Sequence, residues 1–236
     1  MISVVIPTLN AERSLPDTLT AMVSPAVDGI IREVIVVDGG STDRTRDVAD
    51  HAGAQFVQTE PGRGAQLAHG AAKARFPWLL FLHADTVLDD GWQREASEFM
   101  RGVELGERPR AAAAFRFKLD DKGLAPRALE AIVRARCSIF RLPYGDQGLL
   151  ISRRLFDEVG GYKALPIMED VDIIRRLGRK RVTLLNASAT TSAERYKRDG
   201  YAARALRNQA CLALYSAGLP AATVQRLYGN ARAARW

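Results

Sequence analysis

Three acidic points in this chain stand where chemistry could be done. Asp38 ends the apolar run Glu33-Val-Ile-Val-Val, Asp85 ends Trp78-Leu-Leu-Phe-Leu-His-Ala, and Glu169-Asp170 follows Met168. Acids at the tips of β-branched, apolar runs are what buried parallel strands display where their carboxyl ends open into a ligand crevice. Behind Asp38 come Gly39, Gly40, Ser41 and Thr42, a set that suits a nucleoside better than a bare phosphate. The acid accepts hydrogen bonds from ring N–H or ribose hydroxyls, and the glycines let the backbone come close. His83 and Asp85 leave the strand on the same side, where an imidazole nitrogen and a carboxylate oxygen can share a divalent cation. The same pair reads equally well as a strand cap and the start of a turn. Glu169-Asp170 also has two readings. A helix dipole favours acids in the first turn, and an acid held in a pocket can take a proton from an attacking hydroxyl. Gly62-Arg63-Gly64-Ala65-Gln66 opens a helix whose N–H groups, with Arg63 beside them, suit a diphosphate. Its spacing is neither the dinucleotide fingerprint nor the Walker loop.

These residues need a scaffold that gathers them. Strand and helix patterns alternate through the first half: strands at Ile2–Thr8, Glu33–Asp38, Ala54–Gln58 and Trp78–Leu82, with helices at Ser14–Met22, Asp43–Ala52 and Gly64–Ala74 between them. Short connections of this kind make right-handed βαβ units, hence an α/β fold with a mainly parallel sheet and helices on both faces. Further on, Gly91–Arg101 reads as a helix, Ala111–Leu119 as a half-exposed strand, Pro126–Phe140 as an amphipathic helix and Leu149–Ser152 as a short strand. Helices at Arg154–Val159 and Met168–Leu177, a strand at Arg181–Leu185 and a helical pair at Ala202–Ser216 and Ala221–Tyr228 complete the pattern. No internal repeat interrupts it.

The totals narrow the class. The chain has 236 residues, 47% hydrophobic and 26% charged, as a soluble globular domain does. No apolar run approaches the roughly 20 residues that cross a bilayer. The N-terminus enters a strand at Ile2 without a basic leader, so a cytoplasmic protein is expected. Cys137 and Cys211 lie far apart without metal or redox spacing and read as reduced, inert thiols. The net charge of +7 would attract nucleic acid or an anionic membrane. The arginines are scattered through helices, however, without a basic run or interleaved aromatics, so solvated helix faces are the favoured explanation and no nucleic-acid partner is expected. The arginine-rimmed C-terminal helices leave open a peripheral contact with the inner membrane face, or packing against a second copy as a homodimer.

Four stretches in order, Val5-Ile-Pro-Thr-Leu-Asn-Ala-Glu12, Val36-Val-Asp-Gly-Gly-Ser-Thr-Asp43, Phe81-Leu-His-Ala-Asp85 and Met168-Glu-Asp170, resemble the family 2 glycosyltransferases of GT-A fold. Tyr144-Gly-Asp-Gln-Gly148 and Thr191-Ser-Ala-Glu-Arg-Tyr196 are similar to a short, soluble bacterial subgroup associated with arsenosugar or selenium gene neighbourhoods. The resemblance implies a nucleotide-sugar donor, a UDP-sugar by preference, and Mn²⁺ or Mg²⁺ as cofactor. It implies one GT-A domain over 1–236, with a nucleotide-binding half (1–90), an acceptor half (91–185) and a C-terminal lid and helices (186–236). Pro7, Thr8, Asn10 and Glu12 would line the nucleoside pocket. Asp38 would read the base, with Gly39, Gly40 and Ser41 packed against it, and Arg63, Gly64 and Ala84 would also serve the nucleotide. Asp85 stands where the family keeps the last acid of its Asp-x-Asp motif and would hold the metal; His83 replaces the first acid and would be either a second metal ligand or a contact to a ribose hydroxyl through a water. Asp170 would be the general base, with Glu169 positioning it or the acceptor. Gly145, Asp146 and Gln147 would face the acceptor, the alternative being a plain turn into Leu149–Ser152, and Arg195 and Tyr196 would close over the diphosphate. The Gln-x-x-Arg-Trp signature of processive synthases is missing, which implies one transfer followed by release. A catalytically silent sugar-nucleotide binder and a nucleotidyltransferase of related fold are the competing readings.

Overall fold

A computed structural model describes residues 1–228. Its strands are β1 (Ile2–Thr8), β2 (Ile31–Asp38), β3 (Gln55–Gln58), β4 (Trp78–Phe81), β5 (Thr86–Leu88), β6 (Ala112–Leu119), β7 (Leu149–Ser152) and β8 (Val182–Thr191). The helices are α1 (Leu15–Thr20), α2 (Val23–Val27), α3 (Thr45–His51), α4 (Arg63–Lys73), α5 (Trp92–Glu104), α6 (Leu124–Phe140), α7 (Arg153–Glu158), α8 (Glu169–Leu177), α9 (Glu194–Asp199), α10 (Tyr201–Ser216) and α11 (Ala221–Tyr228). The strands form one sheet in the order β3-β2-β1-β4-β7-β6-β8-β5.

β1 is buried along its whole length, so its alternate side chains feed two cores. Val4 and Ile6 join Leu15, Trp92 and Phe99 beneath α1 and α5. Val5 joins Val37, Leu67, Leu79, Phe81 and Ile173 beneath α4 and α8. Helix α4 lies so close to the sheet that a Cβ at Gly70 would stand 2.4 Å from Val5 Cγ1 and 2.8 Å from Val37 Cγ2. A third, smaller cluster holds Phe117, Leu119, Val133 and Cys137 under α6. Cys137 and Cys211 are both free and buried, and Trp78 and Trp92 are core residues.

The register decides what meets at the carboxyl edge. β1 runs parallel to β2 with Thr8 opposite Asp38, and parallel to β4 with Val5 opposite Phe81. β7 runs antiparallel to β4 with Phe81 opposite Leu149, so the turn at Gly145–Gln147 that precedes β7 arrives at that same edge. β5 pairs antiparallel with β8, Thr86 opposite Thr191. The Leu82–Asp85 segment therefore leaves the middle of the sheet and re-enters at its far margin.

Three local differences from the sequence pattern have simple causes. The helix expected over Ser14–Met22 is two short helices, α1 and α2, with Ala21 and Met22 between them. β5 is three residues long, too brief for alternation to register. The strand expected over Arg181–Leu185 continues to Thr191, because its small polar end pairs with β6 beyond a register shift and with β5. The last part of the expected C-terminal segment, from residue 229, lies outside the described residues.

Candidate functional site

The ends of β1 and β2 form one wall. Asp38 is 1% exposed, and its carboxylate is fully engaged by its own chain. Oδ2 accepts from the Gly40 and Ser41 N–H groups at 2.9 and 2.7 Å; Oδ1 accepts from Thr8 Oγ1 at 3.0 Å and from the Ser41 hydroxyl. A carboxylate has about four lone-pair sites, and the chain's own donors meet all of them at Asp38. Asp38 and Thr8 build the turn, and Asp38 would have to give up one of these bonds to accept one from a base. Asn10, at φ 54°, accepts the Thr42 N–H at 2.9 Å on Oδ1 and donates its own N–H to Ser41 Oγ at 2.7 Å. Glu12 accepts the Arg44 N–H at 3.1 Å, and its own N–H donates to Asp43 at 3.0 Å. From α4, Gln66 Nε2 donates to the carbonyls of Thr8 and Val37 at 2.8 and 2.7 Å. Gln66 was not singled out from the sequence, although its 1% exposure shows how completely the fold uses it.

Beside this wall is a cleft lined by Pro7, Arg63, Gln66, His83, Ala84, Asp85 and Arg195. Arg63 bonds Glu169 at the start of α8, and its Nη1 is 3.5 Å from His83 Nε2. Asp170, the next residue, accepts the Gly145 N–H on Oδ2 and the Val171 N–H on Oδ1, both at 2.8 Å. Met168, at φ 64°, holds a left-handed conformation that costs a side-chain-bearing residue about 1 kcal/mol or more. That conformation sets the angle at which Glu169 and Asp170 leave the loop. A Cβ at Gly145 would stand 2.7 Å from His83 Nε2 and 3.2 Å from Asp170 Oδ2, so the end of β4, the turn before β7 and the start of α8 meet there. Asp85 completes the group, with Oδ2 2.9 Å from Arg195 Nη2 and Oδ1 3.4 Å from Thr191 Oγ1.

Burial governs the charges. It lowers His83 to about 4, helped by the Arg63 charge, so the imidazole is neutral and keeps a lone pair near neutral pH. Burial is the strongest single influence on Asp85 and opposes its ionisation, but the Arg195 charge, the neighbouring His83 and the hydrogen bonds to the carboxylate together hold it below the usual range. Burial pushes Asp146 up to about 6 against the pull of Arg136, and pushes Glu169 up against Arg63. Asp146 Oδ1, Glu169 Oε2 and the Tyr144 hydroxyl are buried without a hydrogen-bond partner. Tyr162, unremarked in the sequence, is raised well above 10 by burial and by the charges of Asp170 and Glu169. It packs edge-on against Phe81, centroids 4.8 Å apart.

The ionised Asp85 carboxylate is a suitable donor for Mn²⁺ or Mg²⁺, and the neutral His83 imidazole could add a nitrogen ligand to a transition ion such as Mn²⁺ more readily than to Mg²⁺. Among the described residues no group of three or more His, Cys, Asp or Glu side chains is arranged to hold an ion unaided. Any cation held by this pair would need its remaining ligands from a bound diphosphate and water.

Not every expected residue reaches the cleft. Gln147 is 2% exposed; it donates to the Phe115 carbonyl at 2.8 Å and accepts from the Tyr144 N–H at 3.3 Å. It fastens the turn rather than facing an acceptor. At Gly64 a Cβ would lie 2.3 Å from the Lys163 carbonyl oxygen, so that glycine admits the backbone of a neighbouring loop. Tyr196 stacks on Tyr201, with centroids 5.4 Å apart, and belongs to the cluster around Phe117 rather than to a lid.

Known proteins resemble this chain in sequence and fold. A sequence model described as glycosyl transferase family 2 matches residues 3–122, just over half of the 236-residue chain. A glucosyl-3-phosphoglycerate synthase of Mycolicibacterium paratuberculosis is 37% identical over 95 residues, 36% of this chain and 29% of its own length. An uncharacterized glycosyltransferase of Mycobacterium tuberculosis is 37% identical over 106 residues, 44% of this chain and 46% of its own length. Each match spans less than half of the curated relative. Among solved structures, S. aureus TarS superposes with a TM-score of 0.63 at 18% identity, over 96% of this chain and 69% of its own; this likeness concerns the fold alone. Glucosyl-3-phosphoglycerate synthase of M. tuberculosis, in complex with Mn²⁺, uridine diphosphate and glucosyl-3-phosphoglycerate, gives a TM-score of 0.53 at 26% identity, over 81% of this chain and 70% of its own. The expected GT-A fold is thus the observed one.

Proposed function

The chain belongs to glycosyl transferase family 2, and from that membership we propose that it moves one sugar from a UDP-sugar to an acceptor hydroxyl with inversion at the anomeric carbon. The observation that carries the proposal is the meeting of His83, Gly145 and Asp170 within contact distance, beside a cleft that Arg63, Asp85 and Arg195 share. The likeness to a relative solved with uridine diphosphate and Mn²⁺ supports the donor class.

In this reading Pro7, Asn10, Glu12 and Gly39–Ser41 border the nucleoside, while Asp38, Thr8 and Gln66 keep that border in shape. Gly145 and Asp146 lie on the acceptor side. Asp170, steadied by two backbone N–H groups, takes the proton of the acceptor hydroxyl. That oxygen bonds to the anomeric carbon as the bond from carbon to phosphate oxygen breaks, and uridine diphosphate leaves with the electron pair. Arg63, fixed by Glu169, directs positive charge into the cleft where negative charge develops on the leaving group. Asp85 and His83 would hold Mn²⁺ or Mg²⁺, which supplies charge neutralisation on the diphosphate when bound.

Replacing the base is the direct test. Asp170→Asn is expected to lower sugar transfer by a factor of roughly 10²–10⁴, read as uridine diphosphate release, while calorimetric affinity for uridine diphosphate stays within about twofold. An Asp170→Asn enzyme with wild-type turnover would remove Asp170 from the role.

A further inference from the structure

The acid best suited to a divalent cation is already taken by the chain itself. Arg195 reaches Asp85 Oδ2 at 2.9 Å, and Thr191 covers Oδ1 at 3.4 Å. The Arg195 and Asp85 side chains are only 28% and 9% exposed, so water screens this pair less than a surface one. A guanidinium and a divalent cation on one carboxylate oxygen repel each other strongly at such range. Arg195 is anchored close to what it holds. The Ser192 N–H donates to the Asp85 carbonyl at 3.2 Å, and the Ala193 N–H donates to Asp120 at 2.6 Å. Only its long side chain needs to move. Arg195 also lines the cleft beside Pro7, Arg63 and His83, where diphosphate oxygens would offer a planar guanidinium two parallel bonds.

We propose that Arg195 is a latch on the metal position: it holds Asp85 while the cleft is empty and passes to the diphosphate when a nucleotide enters, so that the divalent cation binds after the nucleotide. The inference rests on the UDP-sugar reading of the cleft and adds to it an order of assembly and a positioning residue. Exchange of partners makes nucleotide and cation mutually dependent, and the dependence must be equal in both directions.

Mn²⁺ binding to the full chain, followed by the electron paramagnetic resonance of free Mn²⁺ with and without uridine diphosphate, tests this without any turnover. Wild type is expected to take up Mn²⁺ weakly alone and far more tightly with uridine diphosphate. Arg195→Gln is expected to bind Mn²⁺ alone on the order of tenfold more tightly than wild type, within the usual span of coupling between sites, and to lose most of the gain that the nucleotide brings. Arg195→Lys, which keeps the charge on a compact head, should fall between the two and serves if the glutamine variant does not fold. Calorimetry of uridine diphosphate with and without Mn²⁺ should give the same coupling factor. Equal nucleotide-free Mn²⁺ affinity in wild type and the variants overturns the latch, while nucleotide-dependent uptake by wild type leaves the proposed function standing. No Mn²⁺ uptake by wild type with uridine diphosphate present overturns both.

Discussion

Asp38 and Asp170 are the same residue type at the edge of the same sheet, and the hydrogen bonds around each one part their roles. Asp38 accepts four bonds from its own chain, whereas Asp170 accepts two backbone N–H groups and keeps lone pairs for a proton. The acids and their adjacent donors were visible in the sequence; the distant donors were not, because Thr8 lies 30 residues from Asp38 and Gly145 lies 25 from Asp170. Arg195, bonded across 110 residues to Asp85, was foreseen only as a contact for the diphosphate. Asp146 provides a prediction in pH. Burial raises it to about 6, whereas an unfolded Asp titrates near 3.9. Between those values the folded chain binds a proton that the unfolded chain does not, so this group's contribution is complete below about pH 4 and is lost as pH rises through 6. Asp146→Asn removes the dependence. Its stability relative to wild type is expected to rise by roughly 1–3 kcal/mol from pH 4 to pH 7, measured by urea unfolding at each pH. A difference that stays flat with pH would assign Asp146 an ordinary titration.

The elements most legible in the sequence were those buried on both faces. β1, β2, β4 and β7 are short apolar runs bounded by Gly, Pro or charged residues, and their bounds fall within two residues of expectation. What escaped was pairing. Nothing in Thr86-Val-Leu88 says that its partner is Ala189–Thr191. Nothing in Gln147 says that its amide turns toward the carbonyl of Phe115. Helix α4 shows the complementary case, in which a residue reads as a weak helix former and proves to be a spacer. Gly70 lets α4 approach β1 and β2 to a distance that excludes a methyl group. Gly70→Ala improves intrinsic helix propensity by nearly 1 kcal/mol, yet overpacking of about 1–3 kcal/mol should win. A net loss of stability is expected in thermal unfolding, with Arg63 and Gln66 carried off their partners and weaker uridine diphosphate binding as a result. Val5→Ala in the same chain should return part of the loss, because it removes the nearest clashing atom.

At the scale of the molecule, the two halves read from the sequence interleave. β7, from the second half, is inserted beside β4, and β5, from the end of the first, lies at the opposite margin of the sheet. A chain cut after Asp90 would leave Phe81, Leu80 and Leu79 without β7 and would strand β5 from β8. The fragment 1–90 is expected to give no cooperative thermal transition and no uridine diphosphate binding, while a mixture of 1–90 and 91–236 recovers both only if the pieces assemble. Independent folding of 1–90 would show that the nucleotide wall needs nothing beyond β4. No described helix is long and apolar enough to cross a membrane. The net charge of +7 lends the surface a general attraction for anions, and added salt weakens it.

The mesh of bonds that joins Thr8, Asn10, Asp38, Ser41 and Gln66 is made by the chain's own groups. A berth set in advance surrenders little freedom when cargo docks, so more of the attraction survives as affinity. In the proposed order of binding the opposite bank supplies the ordering, because there Arg195 would exchange Asp85 for the diphosphate. On the proposed function and latch, labour is divided between a rigid bookend and a movable clasp, and variation that retunes timing would accumulate on the clasp without disturbing which base is welcomed.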